Sequence, residues 1–282
     1  ETGVWHMNND PSSSNLIDAA GNNNAVPHGM SSSNLVPGVI GPSIDLDGHN
    51  DRFAIESINF STPGCIPKVS VTAWVNTTHN SNGRSDNWSI LDFDRSENFN
   101  FYVHGNGKAC FSSKATNGGV NDFYAGAAGA LNDGNWHHMA LVYDGVDKML
   151  YIDGALVGTE QNAHNGLAIG KGNVTRYGFI GDGSEAATFD GNRNNRHFEG
   201  QIDEIHFLQA DLSAAWIATE FNNQISPQTF VTLEGGTAAL PIELTSFDVA
   251  LDEGNVEVEW IVSSQINNDY FSIERSNDCL LY

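Results

Sequence analysis

The amino-acid sequence predicts an all-β protein: a two-sheet antiparallel sandwich with a short C-terminal helix, followed by the opening strands of a second β-domain. Three observations point there. Segments alternating between apolar and polar residues dominate the 282-residue chain, which is the period of a half-buried strand. Glycine is abundant at 29 residues, and Asn-rich stretches separate short apolar runs, as many strands joined by many turns require. Amphipathic helix patterns are nearly absent.

In chain order, strands are expected at Val69 to Val75, Ser89 to Phe93, Phe99 to His104, Lys108 to Ser112 and His138 to Tyr143. Met149 to Ile152 meets Asp153-Gly154, and Ala155 to Val157 follows, a hairpin with the dipeptide that a type I′ turn prefers. Ile202 to Leu208 is the last strand before the helix. That helix is read at Leu212 to Phe221, with Ser213 as its cap and Trp216, Ile217 and Phe221 on one face, Trp216 plugging it onto a sheet. Trp74 and Trp136 are expected between the two sheets. The glycine-rich run Leu233 to Pro241 marks a boundary. The division is therefore a sandwich at 1–232, a linker at 233–241 and an incomplete domain at 242–282. In that last part, strands are expected at Ile242 to Val249, Val256 to Val262 and Phe271 to Glu274, too few to close a sandwich.

Twelve Lys+Arg against 35 Asp+Glu give a formal charge of −23. A phosphate backbone would be repelled, so nucleic acid is not an expected partner. Such a surface keeps a protein soluble and attracts divalent cations. No apolar run approaches the ~20 residues that a membrane span needs, so membrane insertion is not expected. Three cysteines, Cys65, Cys110 and Cys279, make no disulfide scaffold and no zinc spacing. Cys65 and Cys110 border strands, and a bridge between them is left open. The chain ends read as those of a fragment of something larger.

Five motifs in order carry a family resemblance over about residues 4–230. They are Ile44-Asp45-Leu46-Asp47-Gly48 with Asp51-Arg52-Phe53, then Val69 to Val75 around Trp74, then Asp133-Gly134-Asn135-Trp136-His137-His138. The Tyr151-Ile152-Asp153-Gly154 hairpin and Gly200-Gln201-Ile202-Asp203-Glu204-Ile205 complete them. Together they resemble a laminin-G-like, concanavalin A-like jelly roll of a bacterial secreted protein. The tail, through Leu240-Pro241-Ile242-Glu243-Leu244, Glu259-Trp260 and Tyr270-Phe271-Ser272-Ile273-Glu274, resembles a fibronectin-like module of Bacteroidetes type IX secretion substrates. These resemblances imply a secreted or cell-surface protein with neighbouring domains in a larger chain. They also give Trp136 and Trp74 core roles, and have the His138 side chain tie down a neighbouring backbone.

The resemblance further implies a structural calcium (Ca2+) at Asp203, with partners at Asp18 and Asn22 of the N-terminal loop and at Asp47. Calcium takes six to eight oxygens, which these loops offer. The alternative is a plain hydrogen-bond network between Asp203 and the backbone, closing the sandwich. Glycosidases of this fold carry a Glu-x-Asp-x-x-Glu-like run, which is missing here. Asp203 and Glu204 point to opposite faces, and Asp92 with Asp94 lacks a third acid, so catalysis is not expected. Ligand contacts are expected instead from Trp88, Arg95, Tyr177, Asp182, Arg193 and Arg196, around the polar segment from Gly181 to Glu199. The same segment also reads as a solvated loop without a ligand. The leading expectation is a non-catalytic binding or adhesion module for carbohydrate or a surface glycoprotein. A purely architectural spacer and a polysaccharide-degrading enzyme on the same fold are the rivals. The sequons at Asn59, Asn76, Asn87 and Asn173 read as coincidental in so Asn-rich a chain.

Overall fold

The structure is a computed structural model and describes residues 2–80, 87–172, 175–183, 196–227, 243–252 and 255–264. The chain divides into two compact units, 1–230 and 231–282.

Unit 1 holds fifteen described strands and one α-helix. They are β1 (Thr2–Trp5), β2 (Ala25–His28), β3 (Leu35–Pro37), β4 (Pro42–Asp47), β5 (Arg52–Phe60), β6 (Val69–Asn76), β7 (Asn87–Asp92) and β8 (Phe99–His104). Then follow β9 (Ala109–Lys114), β10 (Val120–Ala125), β11 (Trp136–Tyr143), β12 (Lys148–Ile152), β13 (Ala155–Glu160), β14 (Arg176–Ile180), β15 (Glu199–Leu208) and helix α1 (Ala214–Ile225). Sheet A runs β13-β12-β11-β6-β15-β4-β3, with β1 added on β15. Sheet B runs β10-β9-β8-β7-β14-β5-β2. Every described pairing between these strands is antiparallel, and the two sheets pack as the jelly-roll sandwich read from the sequence.

Alternation decides which residues fill the interior. Phe101, Phe111 and Phe123 lie directly opposite one another on β8, β9 and β10 and face the core. Rings from the two sheets meet there, with Phe207 of β15 at 5.7 Å from Phe93 and 6.0 Å from Phe99. Fully burying such a side chain stabilises by roughly 1.5–3 kcal/mol, so this cluster carries much of the cohesion between the sheets. At the Asp153-Gly154 turn both residues have positive φ, 51° and 74°, as a type I′ hairpin demands. The Asp153 carboxylate then accepts from the His138 backbone N–H at 2.9 Å and meets His137 Nδ1 at 2.8 Å.

Helix α1 covers the other face of sheet A. Ser213 caps it, accepting from the Trp216 N–H at 3.2 Å. The face it buries differs from the expected one. Ile217 is fully buried against Ala140, Val142 and Tyr151, while Trp216 is 60% exposed. Trp74 also departs from expectation. It is fully buried, but on the helix side of β6, because its neighbours Ala73 and Val75 take the core face. There it stacks on Phe221 at 5.7 Å, and its Nε1 donates to Gln224 Oε1 at 2.6 Å. Trp136 shares the alternation of His138 and Ala140, so it belongs to the same face and is only half-buried.

Beneath the helix lies a chain of acids and imidazoles. Glu220 Oε1 accepts from Thr72 Oγ1 at 2.8 Å and meets His206 Nδ1 at 2.9 Å; His138 Nε2 stands 3.9 Å away. Glu204 joins His206 at 3.7 Å and His6 at 2.7 Å. Burial pulls His206 down, but its bonds to Glu204 and Glu220 outweigh this and carry it up to about 9. Burial likewise pushes Glu220 up, and His138 and His206 reverse it to well below the usual carboxylate range.

The second unit holds a hairpin, β16 (Glu243–Asp252) with β17 (Asn255–Ser264). Phe247, Val249 and Ile261 are exposed on it, as expected of two strands without a covering layer. The third strand expected there, Phe271 to Glu274, lies outside the described residues. Among the described residues no helix is long and apolar enough to cross a membrane. Cys65 and Cys110 are both free thiols, so no bridge joins them, and Cys279 lies outside the described residues.

The imidazole chain makes stability depend on pH with a defined sign. A raised histidine stabilises fully below its ordinary value of 6.5 and loses that contribution as pH climbs through about 9. A depressed Glu220 contributes above its ordinary 4.5 and loses its share as pH falls. Chemical denaturation should therefore show the pair at full strength between these limits. A loss of about 3 kcal/mol is expected on the alkaline side, and His206→Gln should flatten that limb.

Candidate ligand-binding face

Opposite the α1 side, the outer face of sheet B carries polar rows of which Asp122 and Tyr124 are exposed while Asn100, Tyr102 and Ser112 are buried. Its rows follow from strand pairing. Phe179, Asp92, Asn100, Ser112 and Asp122 stand directly opposite one another across β14, β7, β8, β9 and β10. Tyr102, Cys110 and Tyr124 form the next row. Each alternates with a core residue, so the polar side chains are forced outward by the same period that buries Phe101 and Phe111.

These groups are knitted together. Asn100 Nδ2 donates to Ser89 Oγ at 2.9 Å, which leaves the buried Asn100 Oδ1 without a hydrogen-bond partner. Tyr102 OH lies 2.9 Å from Ser112 Oγ and donates to Tyr124 OH at 3.3 Å. Burial, with Cys110 and Tyr124 adding to it, drives the Tyr102 phenol far above its ordinary range. Tyr124 is 41% exposed, with the His104 ring edge-on at 5.2 Å. The result is one accessible aromatic ring beside hydroxyl, amide and carboxylate groups.

The residues expected to contact a ligand are partly gathered on this face. Arg95, on the β7–β8 loop, reaches Asp122 at 3.6 Å and so lies over the first row. Asp182 is fully buried and stands 3.6 Å from His197 Nδ1. The carbonyl of Arg196 accepts from the Ser89 N–H at 3.3 Å, and Gly181 N–H donates to Ile90 O at 3.1 Å. Both ends of the Gly181–Glu199 segment are thus pinned to β7. Tyr177 is half-buried on β14 opposite Asn59. Trp88 does not join them: it is 4% exposed, packs in the core and has the His79 ring at 4.2 Å. Arg193 lies outside the described residues. Sequence reasoning missed Asn100, Tyr102, Ser112, Asp122 and Tyr124, although the alternation in Phe99-Asn100-Phe101-Tyr102-Val103-His104 already separates them from the core.

The carboxylates of the expected calcium ligands are each engaged with backbone donors. Asp203 is fully buried. Its Oδ2 accepts from the Val39 and Ile40 N–H groups at 2.8 and 3.1 Å, and its Oδ1 from Glu204 N–H at 2.9 Å. Asp18 accepts from Val4, Ala20 and Asn23 N–H groups at 2.8, 3.0 and 3.1 Å, with Asn22 exposed beside it. Asp47 accepts from His49, Asn50 and Asp51 at 2.8, 3.1 and 3.3 Å. It lies opposite Glu199, four residues and so about 13 Å along β15 from Asp203. Burial pushes the Asp47 carboxyl up, but its three N–H bonds hold it below its ordinary value. Each carboxylate thus faces donors rather than other oxygens, which is the surrounding of an anion and does not fit a shared cation. Among the described residues no group of three or more His, Cys, Asp or Glu side chains stands in a metal-binding arrangement. The acids weighed for catalysis are likewise engaged. Asp92 Oδ2 accepts from Asp94 N–H at 3.0 Å, and Asp94 pairs with Arg176 at 2.6 Å.

Two packed antiparallel sheets in this strand order, with one helix on an outer face, define a jelly-roll sandwich. Residues 47–218 match the family model described as the Concanavalin A-like lectin/glucanases superfamily, and the chain belongs to that superfamily. No curated protein matches the chain significantly. Among solved structures it is similar to the binding domain of Paraclostridial Mosquitocidal Protein 1 (TM-score 0.58, 14% identity), over 99% of this chain and 72% of that one. It is also similar to the binding domain of botulinum neurotoxin DC in complex with rat synaptotagmin II (TM-score 0.54, 15% identity), over 79% and 51%. Domain 4 of AbnA, a GH43 extracellular arabinanase from Geobacillus stearothermophilus, in complex with arabinotriose, is similar at TM-score 0.52 and 16% identity, over 77% and 95%. At such identities the likeness concerns the fold.

Asp203→Asn should test the hydrogen-bond arrangement. An amide has one acceptor oxygen and would turn an NH2 toward a backbone donor, so a loss of about 2–3 kcal/mol in unfolding free energy is expected. Chelator should leave the wild-type melting temperature unchanged.

Proposed function

We propose that unit 1 is a non-catalytic carbohydrate-binding module that holds its ligand on the outer face of sheet B. The observation that carries this reading is the exposed pair Asp122 and Tyr124 on the outer face of β10, with Arg95 beside Asp122 and the buried Asn100, Ser112 and Tyr102 backing them. Sugar rings need a flat apolar surface and several directional hydrogen bonds, and a tyrosine amid amides, hydroxyls and carboxylates supplies both. Support comes from the superfamily and from neighbours that are binding domains, one of them holding arabinotriose. Against catalysis stand the ion-paired Asp94 and the missing third acid. The proposal extends to a secreted or cell-surface protein in which this module serves neighbouring domains, with a fibronectin-like unit beginning at β16.

A glycan array should show selective binding by the wild-type chain. Tyr124→Ala should weaken it at least about fivefold, since stacking on an aromatic ring is worth on the order of 1 kcal/mol or more. Stability should change little, because Tyr124 sits on edge strand β10. Equal binding by wild type and Tyr124→Ala would move the site elsewhere, and reducing ends released from a polysaccharide would return the chain to the enzymes.

A further inference from the structure

At the end of the sandwich where β10 and β13 form the free edges, the two sheets leave a second concavity. This cleft of about 440 Å³ lies between the β9–β10 turn and the segment after β13, with Asn117, Asn121, Glu160, Asn162, His164 and Asn165 among its walls. Four of those six have left-handed backbones: Asn117 (φ 63°), Asn162 (φ 52°), His164 (φ 54°) and Asn165 (φ 54°). The described chain has eight such non-glycine residues, so half of them border this one cleft. Asparagine tolerates that conformation better than most residues, but strain gathered at a concavity is a mark of ligand sites.

Behind the cleft walls the interior is polar where a sandwich core is normally apolar. Lys148 points inward from β12 and is fully buried. Its Nζ donates to the Asn121 carbonyl at 3.0 Å and to Asn121 Oδ1, and lies 4.7 Å from the centre of the Phe111 ring. Asn121 Nδ2 in turn donates to Glu160 Oε1 at 2.8 Å. Glu160 Oε2 is left without a hydrogen-bond partner, 4.0 Å from Lys148 Nζ. Ser113 Oγ and His164 Nε2 lie 2.7 Å apart. Burial, with Lys148 behind it, lowers His164 to about 4, so its imidazole is uncharged at neutral pH. A buried acceptor such as Glu160 Oε2, without a hydrogen bond, calls for a partner.

No Lys or Arg lines the cleft, so it offers nothing to an anion. Its amides, its neutral imidazole and its one carboxylate suit hydroxyl groups, with Val120 and Leu167 as apolar edges. The volume fits a small ligand rather than a peptide strand.

We propose that this cleft is a second binding site, for a single ring of an uncharged saccharide. It is independent of the sheet B face. The test is a titration of 15N-labelled full chain with arabinotriose, galactose and N-acetylglucosamine, each at millimolar concentration. At least one sugar should give saturable amide shifts confined to Asn117–Asn121 and Asn162–Leu167. Glu160→Gln keeps an oxygen for Asn121 and should weaken that sugar about tenfold, with the amide spectrum away from the cleft unchanged as the check on folding. Tyr124→Ala should leave these shifts intact even if it abolishes binding at sheet B. Absence of saturable shifts at these amides with all three sugars would overturn the proposal, as would wild-type affinity in Glu160→Gln.

Discussion

Sheet A is organised around one buried carboxylate at a break in strand β15. Before the break, Glu199 to Ile202 pair with β4; after it, Ile205 to Leu208 pair with β1. On the opposite edge, Glu204 and Ile205 together stand against Ala73 of β6, an extra residue that makes a bulge. Glu204 takes a left-handed backbone, φ 47°, to allow it. Asp203 satisfies the amides that this break and the Gly38–Gly41 turn would otherwise leave unpaired. Burial pushes its carboxyl up to about 6, against the bonds from Ile40, Val39 and Glu204. The approach is so close that a Cβ on Gly38 would sit 2.5 Å from Asp203 Oδ2, so only glycine fits there.

Much follows from that bulge. The left-handed turn at Glu204 sets its side chain between His6 and His206, and His206 in turn meets Glu220 of α1. The charges on this side of the sandwich are therefore engaged with one another, and the helix is held by polar contacts as well as by Ile217 and Phe221. Among the described residues no such helix lies over sheet B. On its outer face Asp122 and Tyr124 are exposed over a buried layer of Ser89, Asn100, Tyr102 and Ser112, and a ligand would meet the two exposed groups.

Much of the fold was legible because period-two alternation is strong in strands such as Phe99 to His104, and because Asp153-Gly154 and Ser213 carry their local chemistry openly. The tryptophans misled for a physical reason. Trp74 sits on a central strand buried on both faces, where hydrophobicity cannot say which side is the core. Trp216 begins a short helix whose inward stripe passes through Ile217 and Phe221 instead. The site was half legible. Asp203 stood out as an acid in a buried strand, but its partners, the Val39 and Ile40 amides, are backbone groups of a turn some 160 residues away, which no residue pattern records. Trp88 invited a surface role by its type and was claimed by the core, while Tyr124 gained its exposed place from register, which pairing alone reveals.

The central claim is that Asp203 serves as an acceptor for backbone amides and in doing so fixes the strand on which the two faces depend. Native-state hydrogen exchange at Val39, Ile40 and Glu204, followed with calcium and with chelator, addresses it directly. The account predicts that all three amides exchange slowly, alongside the core of β6 and β15, and at the same rate in both conditions. Fast exchange at these amides, or protection that arises only when calcium is added, would contradict it.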